Sequence, residues 1–379
     1  MMNPKDLKEF KHEARMMTQL LHPNIIKFYG ICEKTTACEQ TGQLENRMYM
    51  VTGLATGGSL EGRIEKAIHM KKLMNTAART PDMKMPFDGL QMVQWAVEIA
   101  AGMAYIHGRD FIHRDIKPQN VLLDGVDKAL ICDLGTTKSM APGSKQHYGK
   151  EADEFEETNP EDPPGMTHGK GTPLYMAPEQ HLNGLYTNAV DVWAYGVMLV
   201  RLFSLDMPFD GNPSMRDLML YVSTDKLRPK QLLAKDLPHP GLKEVLEGCL
   251  EYRAQERWTF AQIELRLSKI LKEMKDVTRR SAELRLFLDS HDLSECLDQF
   301  LADGIECKED LVHVTVEDLM AMGVAKFRAR KTIAAFADIE PEEKTRLIRV
   351  CPSCGKSEGI QGAAKFCGLC GAKALCGTI

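Results

Sequence analysis

Apolar residues recur at helical intervals in several stretches of the chain. In residues 5–21 they are spaced three or four positions apart, at Leu7, Phe10, Ala14, Met17 and Leu21, and a His-Pro pair follows. Since the residue before a proline disfavours helix, this stretch is predicted to end there. Residues 89–108 and 186–205 show longer and more apolar periodic patterns, and residues 261–280 form a charged one. We expect a helix in each.

Shorter apolar runs predict strands. Residues 25–31, 47–52, 121–123 and 129–131 are rich in apolar and β-branched side chains. The last two runs flank the turn dipeptide Asp124-Gly125 and should form a hairpin. The polar residues 33–45 between the first two strands are expected to be a surface loop.

Polar residues with a definite chemistry surround this predicted hairpin. Residues 113–120 read H-R-D-I-K-P-Q-N, and residues 133–135 read D-L-G. Asp115 could accept a proton from an attacking hydroxyl, and Lys117 could neutralise a phosphoryl group in transfer. Asn120 and Asp133 carry oxygens of the kind that Mg²⁺ prefers. The pattern therefore indicates a phosphate and metal site.

The ordered motifs resemble those of eukaryotic protein kinases. After D-L-G come A-P-E at residues 177–179 and D-V-W-A-Y-G at residues 191–196, in kinase-like order. The resemblance implies an α+β kinase fold, with incomplete N-lobe, over residues 1–275. At Lys117 and the Gly171-Thr172 pair, the sequence resembles serine/threonine kinases. Residues 48–60 and the domain order resemble the tyrosine-kinase-like, mixed-lineage group.

This resemblance assigns a role to each candidate site residue. The catalytic set is Arg114, Asp115, Lys117, Asn120 and Asp133, with Asn120 and Asp133 as Mg²⁺ ligands. For ATP it implies Thr52 as gatekeeper, Leu54 and Ala55 in the hinge, Leu122 under adenine, and Glu13 as partner of an ATP-binding lysine. Glu13 could instead be a solvated helix charge. Further implied contacts are a spine of Met17, Phe28, His113 and Leu134, an Asp191 bond to the catalytic loop, and a Glu179-Arg257 pair.

The sequence shows no Gly-rich phosphate loop and no V-A-I-K strand before residue 5. We expect either a fragment of a longer kinase, which we favour, or a short protein that cannot bind ATP normally. The favoured function is ATP-dependent phosphorylation of protein serine or threonine. The alternative is a catalytically inactive scaffold that binds partners through the kinase-like lobe and the following domain.

The segment between Asp133 and Glu179 contains an acidic stretch at residues 151–162. Such a stretch is typical of a mobile loop. It could block or recruit a basic substrate, or be only a solvated insertion. Thr167 lies near the usual activating position, where Arg114 could receive a phosphate. Thr172 is better interpreted as positioning Asp115 and Lys117.

Residues 281–340 alternate short amphipathic helices and resemble a SAM (sterile alpha motif) domain. Thr315 and Asp318 fit the start of a helix within it. The resemblance implies self-association or pairing with another SAM domain, although an unrelated helical bundle stays open. The basic residues Lys326, Arg328, Arg330 and Lys331 are more often a solvated face than an RNA site.

Two C-x-x-C pairs occur in residues 348–379, at Cys351 and Cys354 and at Cys367 and Cys370. This spacing predicts a Cys₄ zinc ribbon with structural Zn²⁺, and disulfides are the alternative. Composition adds little else. The net charge of −5 makes nucleic acid an unlikely partner, no apolar run reaches transmembrane length, and the chain start is no signal peptide. A cytoplasmic location is expected.

Overall fold

The computed structural model describes residues 4–37, 44–76, 80, 83–139, 173–181, 187–211, 213–222 and 224–337. Within this part the chain divides into two units, residues 1–275 and 276–379. The fold is α+β. No described helix combines the length and apolar character that a bilayer-spanning segment requires.

The first unit opens with helix α1 (Pro4–Gln19) and an antiparallel hairpin of β1 (Phe28–Ala37) and β2 (Leu44–Thr52). Next come β3 (Gly58–Ser59), α2 (Leu60–Met74), α3 (Gly89–His107), β4 (Phe111–Ile112), β5 (Val121–Leu123), β6 (Ala129–Ile131) and β7 (Lys138–Ser139). Strands β3, β5 and β6 form one sheet, and β4 pairs with β7.

The remaining regular elements of the part that the structure describes are helices. They are α4 (Pro178–His181), α5 (Ala189–Ser204), α6 (Met215–Asp217) with a π-turn at Leu218–Val222, α7 (Leu242–Cys249) and α8 (Phe260–Ser290). The second unit adds α9 (Leu297–Ala302), α10 (Val316–Ala321) and α11 (Lys326–Ala337), with short 3₁₀ turns between them.

Helices α3 and α5 form the centre of the first core because apolar side chains surround each of them. Every residue from Val190 to Phe203 is buried. Trp95 and Tyr195 are fully enclosed, and the Tyr195 hydroxyl donates to the Ala96 carbonyl. This helical core supports the catalytic loop and strands β5 and β6, which pack on it.

The second unit has a core of its own. Leu284, Leu288, Phe300, Leu319 and Phe336 are among its fully or almost fully buried side chains. At the start of α10 the predicted capping is present: Thr315 Oγ1 accepts from the Asp318 amide, and the Thr315 amide donates to Asp318 Oδ2 at 2.8 Å.

Two predicted boundaries were wrong. Strands β1 and β2 take in much of the expected loop at residues 33–45, because their pairing continues from Phe28 to Ala37 without needing an apolar face on this exposed hairpin. Helix α8 passes residue 280 and ends at Ser290, since no Gly or Pro interrupts residues 260–290.

Candidate active site

The loop between β4 and β5 gathers the predicted catalytic residues. Lys117 Nζ lies 2.6 Å from Asp115 Oδ2, and Asn120 Nδ2 donates to the same oxygen at 3.0 Å and to the Asp115 carbonyl at 2.8 Å. The side chains of Asp115 and Asn120 are almost fully buried. Since Oδ2 already accepts from Lys117 and Asn120, these contacts fix the carboxylate of Asp115 in one orientation.

A buried carboxylate on α5 holds this loop from beneath. Asp191 accepts from the backbone amides of His113 and Arg114 at 2.8 and 2.7 Å, as predicted, and from His107 Nε2 at 2.8 Å. Burial alone would raise the pKa of Asp191, but these hydrogen bonds and the neighbouring histidines outweigh it and hold the pKa below its usual value. Asp191 therefore stays ionised and fixes the loop backbone.

The arginine of the loop adopts an uncommon backbone conformation. Arg114 has φ 69°, in the left-handed region, and the bond of its amide to Asp191 holds it there. Its Nε donates to the Thr136 carbonyl at 2.6 Å, and Thr136 Oγ1 donates to the His113 carbonyl at 2.7 Å. Arg114 thus ties the catalytic loop to the segment after Asp133.

The carboxylates of Asp133 and Glu13 lie close together beside Gly135. The Asp133 side chain is exposed, and its backbone has φ 59°. A Cβ atom built on Gly135 would lie 3.5 Å from Asp133 Oδ1 and 3.6 Å from Glu13 Oε2. Burial, and then repulsion by Asp133, raise the pKa of Glu13. Within the described residues no cationic side chain forms an ion pair with Glu13, so its predicted lysine partner stays a prediction.

The predicted nucleotide-side residues surround the turn after β2. Thr52 is the last residue of β2 and pairs with Phe28, and the Gly53 amide donates to the Lys27 carbonyl at 2.7 Å. Leu54 is 85 % exposed. Ala55 and Leu122 pack against the main core.

The residues predicted to form the spine are buried or pack against buried residues in the first unit. Met17 and Leu134 are buried in the first core, and Phe28 packs against it. His113 is fully buried, and its Nε2 lies 3.4 Å from the Cys132 carbonyl.

Asn120 and Asp133 fit a Mg²⁺ ion by their chemistry. The Asn120 amide nitrogen faces Asp115, so its oxygen is the group left for a cation, and the Asp133 carboxylate is exposed. Among the described residues no three His, Cys, Asp or Glu side chains cluster as a metal site. Mg²⁺ held by one carboxylate, one amide oxygen and nucleotide phosphates needs no such cluster.

The predicted pair between Glu179 and Arg257 is present as a two-pronged contact. Arg257 Nη1 and Nη2 donate to the two Glu179 oxygens at 2.7 and 2.9 Å, and the Arg257 side chain is fully buried. This pair fixes the end of the segment that begins at Asp133.

Two contacts at the site went unpredicted. His107 reaches Asp191, and His12 Nε2 lies 2.8 Å from the Thr137 carbonyl, which joins α1 to the segment after Asp133. The position of His107 in the last turn of a helix leading into the catalytic loop was a usable signal. No sequence signal indicates the contact between His12 and Thr137.

Several predicted features lie outside the described residues. They are the acidic stretch at residues 151–162, Thr167, Thr172 and the four cysteines Cys351, Cys354, Cys367 and Cys370.

Comparison with protein families gives two matches along the chain. A family model described as "Protein kinase domain" matches residues 2–266, and one described as "SAM domain (Sterile alpha motif)" matches residues 280–339.

Curated relatives carry kinase names of more than one specificity. A probable serine/threonine-protein kinase of Dictyostelium discoideum is 31 % identical over 290 residues, which cover 71 % of this chain and 34 % of the relative. Dual specificity protein kinase shkD of the same organism is 27 % identical, covering 70 % and 30 %. Mitogen-activated protein kinase kinase kinase zak-1 of Caenorhabditis elegans is 28 % identical, covering 69 % and 30 %. The chain thus spans about a third of the length of these relatives.

Proposed function

This chain belongs to the protein kinase family, and on that premise we propose that it transfers the γ-phosphoryl group of ATP to serine or threonine hydroxyls of proteins. The observation that carries the proposal is the catalytic loop, in which Asp115, Lys117 and Asn120 converge within hydrogen-bond distance. The serine/threonine preference rests on Lys117 at the second position after Asp115 and on the name of the first Dictyostelium relative.

Each residue has a physical task in this reaction. The fixed carboxylate of Asp115 would orient an acceptor hydroxyl and take its proton as the oxygen attacks. Lys117, 2.6 Å away, would neutralise negative charge on the transferred group. Asn120 and Asp133 would hold Mg²⁺, which supplies charge neutralisation at the phosphates when bound.

The test is transfer of label from [γ-³²P]ATP with Mg²⁺ to myelin basic protein, followed by phosphoamino acid analysis. We expect phosphoserine and phosphothreonine, and no labelling by Asp115→Asn, which controls for contaminating kinases. Phosphotyrosine alone would contradict the proposed specificity. Labelling that does not depend on Asp115, or no transfer by the wild-type chain, would contradict the proposed catalysis.

We also propose that the SAM domain mediates protein association, either with a second copy or with another SAM domain, and that the predicted tail binds structural zinc in a cytoplasmic protein. The zinc proposal rests on the spacing of Cys351, Cys354, Cys367 and Cys370. Elemental analysis should give one zinc per chain, and Cys354→Ser should lose it. Retention of zinc by that variant would contradict the site.

A further inference from the structure

A hydrogen bond joins helix α1 to the segment that follows Asp133. His12 Nε2 lies 2.8 Å from the Thr137 carbonyl, across 125 positions of sequence. Since a carbonyl oxygen can only accept, Nε2 must carry the proton and donate it. The His12 side chain is half-buried, and Thr137 is fully buried. A hydrogen bond in such a sheltered position is electrostatically stronger than one in water.

The hydroxyl of Thr137 does not hold this residue in place. Its Oγ1 is buried and has no hydrogen-bond partner among the residues that the structure describes. The polar contacts that the structure shows at Thr137 belong to its backbone. The amide donates to the Leu134 carbonyl at 3.0 Å, and the carbonyl accepts from His12. Loss of the His12 donor would leave a buried carbonyl without this partner, which is unfavourable.

The chain on either side of Thr137 is tied to the catalytic loop. Thr136 Oγ1 donates to the His113 carbonyl, and Arg114 Nε donates to the Thr136 carbonyl. Strand β7, which begins directly after Thr137, pairs with β4. The segment therefore rests on the catalytic loop, and His12 fastens α1 to it.

The next residue on α1 is Glu13, the predicted partner of an ATP-binding lysine. A Cβ atom built on Gly135 would lie 3.6 Å from Glu13 Oε2. Apolar side chains of α1 also pack in the core, but apolar packing is not directional. The directional bond from His12 therefore limits rotation and sliding of α1 and keeps Glu13 beside Gly135.

We propose that His12 is a positioning residue: its hydrogen bond to the Thr137 carbonyl fixes α1 against residues 134–137 and holds Glu13 in place for use of the nucleotide. His12 itself is not required to touch a reacting atom. The inference rests on the proposed phosphorylation by ATP. Removal of the donor weakens use of ATP and leaves use of the protein substrate unaffected.

The test compares two substitutions that differ in one donor group. His12→Gln keeps an N–H₂ group at nearly the same distance from the backbone as Nε2, whereas His12→Met has a similar length and no donor. We expect kcat/KM for ATP to fall about tenfold in His12→Met and to stay within about twofold of wild type in His12→Gln. KM for myelin basic protein should stay within about twofold of wild type in both.

Amide hydrogen exchange reports the same contact without catalysis. In His12→Met the amides of Glu13 and Thr137 should exchange about tenfold faster, because the two sides of the contact separate more often. The amides of His113 and Arg114 should keep the wild-type rate, since the carboxylate on α5 still holds them. A general loss of stability would instead speed exchange at all four amides.

Two control variants leave the His12 bond intact. Thr18→Ala removes a bond of 2.8 Å from Oγ1 to the Arg15 carbonyl, which lies within α1. It should match wild type in kcat/KM for ATP and in exchange at Glu13. Thr137→Val removes the buried hydroxyl and keeps the carbonyl, so exchange at Glu13 should again match wild type.

Wild-type exchange at Thr137 in His12→Met or, in an active chain, a wild-type kcat/KM for ATP in that variant would overturn the proposal. So would a His12→Gln variant as impaired as His12→Met, since the ring and not its donor would then matter. If His12→Met does not fold, His12→Asn takes its place, because the shorter amide cannot reach the carbonyl. A wild-type chain that transfers no phosphate would contradict the proposed function, whereas exchange at Thr137 would still decide the role of His12.

Discussion

Two sides of the candidate active site, the catalytic loop and the surroundings of Gly135, differ in how their charges are balanced. Beneath the catalytic loop, the buried carboxylate of Asp191 receives three N–H groups from the protein itself. Beside Gly135, the carboxylates of Glu13 and Asp133 lie close together, and within the described residues neither forms an ion pair with a cationic side chain. The pKa of Asp191 is lowered and that of Glu13 is raised.

This difference separates a preformed part of the site from a part that needs added positive charge. A carboxylate whose donors are built into the fold needs no ligand to stabilise it. Two carboxylates that repel each other favour binding of a cation such as Mg²⁺ with its nucleotide. Substitutions on the two sides should therefore have different signatures.

The largest effect on turnover is expected from Asp133→Asn. It removes the exposed carboxylate, and kcat should fall on the order of 10³-fold, because a carboxylate that would hold Mg²⁺ is lost. Asparagine tolerates the left-handed φ of 59° at this position, so Tm should change by less than about 2 °C. Steady-state kinetics and thermal unfolding measure both. A large fall in Tm would show that Asp133 supports the fold as Asp191 does.

Asp191→Asn should impair both stability and turnover. The amide would bring an N–H₂ group towards the backbone donors, so the free energy of unfolding should fall by about 2–4 kcal/mol. Loosening of the loop that carries Asp115 should lower kcat about 100-fold. Denaturant unfolding and kinetics provide the two values. Unchanged stability would contradict the anchoring role of Asp191.

The difference in stability between wild type and Asp191→Asn should depend on pH. Because the folded pKa of Asp191 is lower than the unfolded value of about 3.9, its ionisation stabilises the fold above that pH. The contribution is lost as the pH falls through the folded pKa. The stability difference between wild type and Asp191→Asn should be constant from about pH 6 to 8 and should narrow below about pH 4. A difference that widens in acid would contradict this sign.

The smallest effect, a change in thermal stability, is expected from Glu13→Gln. Since the folded pKa of Glu13 is raised, its ionisation destabilises the fold as the pH rises from the ordinary value through the folded one. Without nucleotide, the variant should be more stable at pH 7 by about 1–2 °C in Tm, because solvent screens this half-exposed group. Near pH 4 the gain should disappear. A lower Tm at pH 7 would indicate a favourable partner for Glu13.

The sequence was sufficient to predict the elements whose structure follows from local patterns. Helix α3 and strands β5 and β6 have the predicted bounds to within one residue, and the Glu179-Arg257 pair is present. In these segments apolar periodicity, turn residues and motif order all indicate the same structure.

The remaining contacts depend on tertiary packing. Arg201 and Glu61 are 140 positions apart and lie on different helices, and His12 and Thr137 are 125 apart. No spacing rule connects such residues. The extended β1 and β2 were missed because hydrogen bonding to a neighbouring strand, rather than an apolar face, maintains the strand beyond Ile31.

The most direct measurement is backbone hydrogen exchange with and without Mg²⁺ and a non-hydrolysable ATP analogue. We predict slow exchange of the His113 and Arg114 amides in both states, because Asp191 holds them, and new protection at Ala55 and Gly135 only with the nucleotide. Asp133→Asn should reduce that new protection. Fast exchange at His113 and Arg114 in the free protein, or no nucleotide-dependent change at Ala55 and Gly135, would contradict the division into a preformed and a ligand-dependent side.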